Sequence, residues 1–341
     1  MRTAVLTDTE QLEIVERNRP QPGPDEVLVR IQEVGVCGSD VHYWRHGRIG
    51  EYVVEGPLVL GHESAGEVIA VGDEVDTVAP GERVTVEPGI PCRHCRYCST
   101  GRYHLCPDVT FMATPPDDGA FAEYVTWPEA LVYPLPDSVS IRDGALCEPL
   151  SVGLHATELA GIDPGDSVLI TGCGPIGLLT LEVVRAAGAT DVIVTDVVAE
   201  KLERARSHGA TRAVNVEEES VSDAVGDVTD GVGVETVIEA SGAPSAYDHA
   251  LDAVAPGGTI VCVGLAPDGE IPIDLVAVTL SEIRIQGSIR YSNTYPAAVG
   301  LLAEGEVEVS WLVDDVFELD AVQEAFYRAT EPDIVKVMVT L

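Results

Sequence analysis

The chain has 341 residues, 45% of them hydrophobic, and a formal net charge of −37 at neutral pH. Its length provides for two domains with separate cores, and its hydrophobic content argues against disorder. No run of about 18 apolar residues exists to cross a membrane, and so acidic a field makes nucleic acid a poor partner.

The acids are scattered along the chain, and of 20 basic residues only Lys201 and Lys336 are lysines. Solubility alone does not require a near-absence of lysine. The pattern suits a surface that stays hydrated in concentrated salt, as in a halophile, where ions screen self-repulsion. The start, MRTAVLTDTEQLEIVER, alternates like a strand and lacks the basic-then-apolar layout of a signal peptide, so a cytoplasmic location is expected. Eight cysteines in that setting read as metal ligands or core thiols rather than disulfides.

Residues 1 to about 150 carry short alternating runs broken by Gly and Pro, among them EVLVRIQEVGVCG, SAGEVIAVGDEV, ERVTVEPG and FAEYVTW. They predict a β-rich domain with functional loops. The rhythm then changes. SVLITG reads as a buried strand, GLLTLEVVRAAG as a helix, DVIVTD as a strand and AEKLERARSHG as a helix, with VETVIEASG, GGTIVCVG and IRIQGSI as further buried strands. Apolar strands alternating with helices predict an α/β fold with a doubly wound parallel sheet. From about 292 the tail has one helix, YPAAVGLLAEG, and short strands ending in VKVMVTL. It is expected to return to the first domain, giving 1–150 with 292–341 as one unit and 151–291 as the other.

Four groups of residues carry chemistry. Cys37 lies in VGVCGSD, and Gly61-His62-Glu63 follows 25 residues later, with Gly66, Gly72 and Val75 at set spacing. A thiolate, an imidazole and a carboxylate can hold zinc and leave a coordination position open. Cys92, Cys95, Cys98 and Cys106 can close a tetrahedron around a second, structural zinc in a lobe of about 88–108. Within that lobe His94 and His104 are not needed as ligands. Gly172-Cys173-Gly174-Pro175-Ile176-Gly177 follows a strand and opens a helix, the context in which such glycines receive a pyrophosphate. Asp196 ends the next strand, 19 residues after Gly177, where a carboxylate bonds ribose hydroxyls and favours NAD over NADP. Lys201 can reach the same ribose. His155, Cys173, Cys262, His46, His208 and His249 read as packing, surface or capping residues.

At these residues the chain resembles the zinc-containing medium-chain dehydrogenases, and within them the polyol (sorbitol and xylitol) branch. Cys37–Ser64, CEPLSVGLHA (Cys147–Ala156), GCGPIGLLT and SIRYSNTYP (Ser288–Pro296) carry the likeness, which spans essentially the whole chain. The resemblance implies a Rossmann domain between the two halves of a GroES-like catalytic domain, an active site in their cleft, and a homotetramer. It implies that Cys37, His62 and Glu63 hold the catalytic zinc, with Glu148 beside it as an exchangeable ligand or partner of the zinc water, and Asp40 orienting His62. Ser39 and His42 resemble a proton relay. Tyr43, Glu148, Arg290 and Tyr291 match positions that hold the polyol. Val263, Gly264, Leu265, Ser288, Ile289 and Arg290 match contacts around the nicotinamide. The expected reaction oxidises a secondary hydroxyl of a small sugar alcohol to a ketose with NAD and zinc. Butanediol, threonine or an aldose are alternative substrates, and a non-catalytic dinucleotide-binding zinc protein is the alternative from another class. One departure is that animal sorbitol dehydrogenases lack the four-cysteine lobe.

Overall fold

The computed structural model describes residues 1–266 and 269–341. The chain divides into two compact units, Met1–Glu148 with Ser292–Leu341, and Pro149–Tyr291.

The first unit is built on the Glu26–Gly35 strand. Its run EVLVRIQEVG buries seven of its ten residues, so it sits within the unit rather than at an edge. Strands Glu63–Val71, Tyr124–Pro128 and Lys336–Thr340 all pair with it antiparallel, and the pairing with Glu63–Val71 slips register at Leu28/Val29 and Ile31/Glu33. The full sheet has seven strands and takes in Arg83–Val86, Val132–Pro134 and Val313–Glu318. Trp44, Phe121 and Phe326, each fully buried, anchor the core, with Phe326 5.8 Å from Trp44 and 5.7 Å from Phe121. Burying a side chain of that size stabilises by roughly 1.5–3 kcal/mol, so three together hold the tail on the N-terminal half.

The cysteine lobe is made differently. It has a two-residue hairpin, Gly89–Ile90 with Thr110–Phe111, and two single 3₁₀ turns, Cys98–Thr100 and Tyr103–Leu105. Few apolar side chains are buried there, and its anchor is polar. Glu87, 2% exposed, accepts from Tyr103 Oη at 2.7 Å and Tyr133 Oη at 2.8 Å, while its carbonyl accepts from Trp127 Nε1 at 2.7 Å. Burial pushes the Glu87 carboxyl up, and the two phenols pull it partly back. Asn293 donates to Tyr103 Oη at 2.8 Å and to Gly101 O at 2.9 Å, tying the returning tail to the lobe.

The second unit is a six-stranded parallel sheet in the order Arg212–Asn215, Asp191–Asp196, Ser167–Thr171, Val234–Glu239, Val254–Cys262, Arg284–Gly287. The helices between the strands make it an α/β doubly wound fold. Two expectations need correction. IRIQGSI was expected to be a buried strand, but Arg284–Gly287 is exposed throughout because it ends the sheet and pairs on one side only. Arg212–Asn215, inside TRAVNV, is a strand that the apolar pattern did not mark; it is short and at the opposite edge, so it needs no long apolar run.

Candidate metal and dinucleotide sites

Cys37, His62 and Glu63 offer ligand atoms that all lie within 4.8 Å of one another. Cys37 caps the helix Gly38–His46, and His62 and Glu63 stand where the chain enters the Glu63–Val71 strand. One buried side chain ties these segments together. Asp40 Oδ2 accepts from Cys37 N at 3.1 Å, Asp40 Oδ1 accepts from Gly61 N at 2.9 Å, and the same oxygen is 3.6 Å from His62 Nδ1. Gly61 has φ of +90°, and a Cβ there would lie 2.8 Å from Phe121, so the turn presenting His62 requires glycine. Burial pushes the His62 imidazole down, but Asp40 and Cys37 outweigh it and hold its pKa well above the usual range.

Sequence reasoning missed the partner of Glu63. Lys336 Nζ donates to Glu63 Oε1 at 2.8 Å, to Oε2 at 2.7 Å and to Val36 O at 3.2 Å, with both side chains 1% exposed. Burial pulls the ammonium down, yet Glu63 and Cys37 more than offset it. A Cβ at Gly35 would stand 1.9 Å from Glu63 Oε2, so that glycine makes room for the carboxylate. The donor set fits Zn²⁺: sulfur, nitrogen and oxygen converge, and the cluster is partly open at Cys37. Glu148, 5% exposed in the first turn of the helix Cys147–Ala160, lies outside that trio, although its charge is felt at Lys336.

Cys92, Cys95, Cys98 and Cys106 form the second group of convergent donors. Cys92 and Cys98 sulfurs are 3.9 Å apart and Cys95 and Cys98 sulfurs 3.4 Å. A zinc–sulfur bond of about 2.3 Å places tetrahedral sulfurs roughly 3.8 Å apart, and a disulfide needs about 2.05 Å, so the spacing suits a metal. The backbone N–H of Cys98 helps draw the Cys95 thiol down to about 7, whereas desolvation and its sulfur neighbours push Cys98 up to about 12. Neither His94 nor His104 belongs to the group.

In the second unit the strand Ser167–Thr171 runs into Gly172, and the helix Pro175–Ala186 begins with Gly174 as its cap and Pro175 in its first turn. Gly172 has φ of +89°. A Cβ at Gly177 would lie 1.8 Å from Gly172 O, so the helix packs against the turn only with glycine. At Gly174 a Cβ would meet nothing within 4 Å, so the space beside the helix N-terminus is open there. Asp196 does something not foreseen: its Oδ2 accepts from Cys173 N at 2.7 Å, and its Oδ1 accepts from Val197 N and Val198 N at 2.8 and 2.9 Å. It therefore pins the glycine turn as well as facing it. Lys201 sits in the first turn of the helix Ala199–Ser207, and its charge reaches the Cys173 thiol.

Ser39, His42 and Tyr43 share the helix Gly38–His46. Burial, His46 and Arg45 in turn pull the His42 imidazole down. Tyr43 is 4% exposed among core side chains, and burial pushes its phenol up. Arg290, with φ of +50°, and the buried Tyr291 end the second unit. Val263–Leu265 and Ser288–Ile289 leave adjacent strand ends side by side, with Ser288 N donating to Cys262 O at 2.9 Å and with Leu265 and Ile289 exposed. His155 is buried in the helix Cys147–Ala160, where burial pulls its pKa down.

Comparison with known proteins agrees with this chemistry. Residues 23–137 match the alcohol dehydrogenase GroES-like domain, and residues 175–304 match the zinc-binding dehydrogenase model. The chain is 43% identical to the sorbitol dehydrogenase of Bacillus subtilis strain 168 over 341 residues, covering 99% of this chain and 97% of that protein. It is 43% identical to the sorbitol dehydrogenase of Homo sapiens over 309 residues, covering 90% and 86%. An oxidoreductase/dehydrogenase of unknown specificity involved in membrane biogenesis from Escherichia coli superposes with a TM-score of 0.96 at 38% identity, covering 99% of this chain and 98% of that one. The chain belongs to the zinc-containing medium-chain dehydrogenase family, with a GroES-like and a Rossmann-like domain.

Proposed function

We propose that this protein oxidises a secondary hydroxyl of a sorbitol- or xylitol-like polyol to a ketose, using zinc and NAD. The observation that carries the reading is the convergent Cys37–His62–Glu63 trio, in a chain 43% identical to a sorbitol dehydrogenase over 99% of its length. Cys37, His62 and Glu63 would hold the catalytic ion, and Cys92, Cys95, Cys98 and Cys106 the structural one. Gly172, Gly174, Pro175, Ile176 and Gly177 would receive the pyrophosphate, and Asp196 and Lys201 the adenosine ribose. When bound, Zn²⁺ supplies Lewis acidity to the substrate hydroxyl and NAD accepts hydride from the carbinol carbon.

The chain's own residues do the rest. Arg290, Tyr291 and Tyr43 bond the neighbouring hydroxyls and choose the carbon that reacts, so simple alcohols leave polar groups unpaired and turn over poorly. Ser39 and His42 pass the hydroxyl proton outward, helped by Glu148. The Lys336 ammonium beside Glu63 adds positive charge where negative charge develops on the substrate. Exposed Leu265 and Ile289 offer an apolar seat to a flat ring, with backbone groups of Val263, Gly264 and Ser288 around it. An Asp196 carboxylate repels a 2′-phosphate, which favours NAD over NADP.

Several finer statements join this reading. Residues 1–150 and 292–341 form the catalytic domain and 151–291 the dinucleotide domain. The exposed edge strand Arg284–Gly287, with Leu275, Val276 and Leu280 exposed on the helix before it, supports assembly toward a homotetramer. Eight free cysteines suit the reducing cytoplasm, and the net charge of −37 suits work at high salt. Among the described residues no helix is long and apolar enough to cross a membrane. A panel of sorbitol, xylitol, butanediol, threonine and glucose with NAD and with NADP, at low and molar salt with zinc content measured, tests all of this. Polyols with NAD should be preferred; turnover of butanediol or threonine alone would reassign the substrate, and no turnover at all would leave a binding protein.

A further inference from the structure

Glu239 ends the strand Val234–Glu239 and is fully buried. Its strand and Ser167–Thr171 are parallel neighbours from which the sheet is built in opposite directions, toward Arg212–Asn215 on one side and Arg284–Gly287 on the other. Ligands of open α/β sheets bind outside the carboxyl ends of strands at such a reversal. A carboxyl group buried there is costly unless its oxygens are hydrogen-bonded.

Four donors meet one of those oxygens. Glu239 Oε1 accepts from Ser241 N at 2.8 Å, Ser241 Oγ at 2.5 Å, Gly242 N at 2.9 Å and Thr171 Oγ1 at 3.2 Å. The Glu239 carbonyl accepts from Val263 N at 2.8 Å and Gly264 N at 2.9 Å. Oε2 lies under the third loop: a Cβ at Gly264 would be 2.7 Å from it and 2.2 Å from Gly242 N, and the Tyr247 phenol, pushed up by burial and then by Glu239, is a further neighbour of the carboxylate. A Cβ at Gly172 would be 2.9 Å from Ser241 Cβ, so the glycine turn abuts the same loop. The side chain thus joins Thr171 at the glycine turn to Ser241–Gly242, while the backbone carbonyl of the same residue holds Val263–Gly264. Simple core packing would be served by an apolar residue; four N–H and O–H groups aimed at a single atom are a device for fixing loops.

We propose that the Glu239 side chain is a positioning group for the nicotinamide half of the cofactor, holding the end of the Ser167–Thr171 strand and the Ser241–Gly242 loop at the spacing the dinucleotide needs, beside the Val263–Gly264 loop that the residue's own carbonyl fixes. This rests on reading Gly172–Gly177 and Val263–Leu265 as dinucleotide contacts. Its Oε1 does the positioning, so an amide that keeps that oxygen keeps the function. Removing the acceptor leaves buried donors unmatched, and the loops move to satisfy them elsewhere.

The test uses the full zinc-loaded chain and direct titration of NADH and of AMP, with KM for NAD and kcat on a polyol. Glu239→Ala is expected to weaken NADH binding about ten-fold or more and raise KM for NAD, with kcat at saturating NAD and AMP affinity within about two-fold; Glu239→Gln restores NADH affinity to within about three-fold. If Glu239→Ala does not fold, Thr171→Val with Ser241→Ala removes two donors and weakens NADH binding about three-fold. Unchanged NADH affinity in Glu239→Ala with a lowered Tm makes the residue merely structural and overturns the proposal. Equal loss in Glu239→Gln overturns it too, since charge and not position would then matter. Wild-type protein that binds no NADH removes the dinucleotide reading and this inference together, whereas wild-type binding with no effect of any variant removes this inference alone.

Discussion

The two cysteine-containing metal groups of the first unit are built on opposite principles. Cys92, Cys95, Cys98 and Cys106 come from one 15-residue stretch with two 3₁₀ turns and little buried apolar surface. Cys37, His62 and Glu63 come from separated segments, and a buried Asp40 bridges those segments while a buried Lys336 pairs with Glu63. The first group has four equivalent soft donors and no place for a substrate. The second has mixed donors, an open side at Cys37 and a charged partner already on one ligand. A local loop can be organised by the ion it closes around. A site that must hold its shape while substrate comes and goes needs the protein to organise it beforehand.

Substituting one cysteine in each group should break that comparison most sharply. Cys37→Ser is expected to lower polyol-dependent NADH formation about a thousandfold or more, with Tm close to wild type and one zinc retained per chain. Cys95→Ser should do the reverse: loss of the other zinc, a stability loss of about several kcal/mol, and near-normal kcat at low temperature. Metal analysis beside calorimetry reads both. Equal losses of activity and of Tm in the two variants would mean the groups are not different in kind.

Lys336→Met is next in size. It leaves Glu63 buried and unpaired in metal-free protein, which costs about 3–5 kcal/mol. Saturating zinc should then stabilise the variant more than wild type, because the ion takes over from the ammonium as the counter-charge of Glu63. Urea unfolding with and without zinc measures it, and a variant as stable as wild type in both conditions would remove Lys336 from the site. Asp40→Asn is milder. Its amide keeps one acceptor but presents N–H₂ to the other backbone donor, costing about 1–3 kcal/mol and weakening zinc about ten- to hundredfold in chelator competition.

The same contrast explains what could be read from residues alone. The four-cysteine spacing and the glycine turn are local, and their flanking strand and helix are legible as changes of apolar period. The α/β sheet followed from alternating apolar strands and helical spacers, while its edges did not: Arg212–Asn215 is too short to show a period, and IRIQGSI looks buried although it has one neighbour. Lys336 was counted as one of two lysines and nothing more, because its partner is 273 residues away. A signal existed: lysine inside VKVMV, in a chain that otherwise avoids lysine, demands a buried carboxylate. Asp40 was expected beside His62, and its hydrogen bonds to Cys37 N and Gly61 N, which fasten the two segments, have no local pattern. Asp196 pinning Cys173 N is likewise a contact made only by folding.

The smallest effect concerns the proton path proposed for His42, beside the open group. Burial, His46 and Arg45 pull the His42 imidazole below its ordinary value, and the His42 and His46 rings are 5.6 Å apart. A charge at that distance in a water-like dielectric is worth about 0.7 kcal/mol, or about half a pH unit. His42 accepts a proton only when neutral. In His46→Gln one repelling charge is gone, so His42 stays protonated to higher pH and the acid limb of kcat/KM moves upward by about half a pH unit at low ionic strength. Arg45→Gln removes the charge with the smaller effect on His42 and should move the limb less, in the same direction. Molar salt should shrink both shifts, since screening reduces the repulsion whether or not the charge is present. An acid limb that stays put in both variants at low salt would assign the proton path to another group, and on the proposed reading the profile of Cys95→Ser should match wild type throughout.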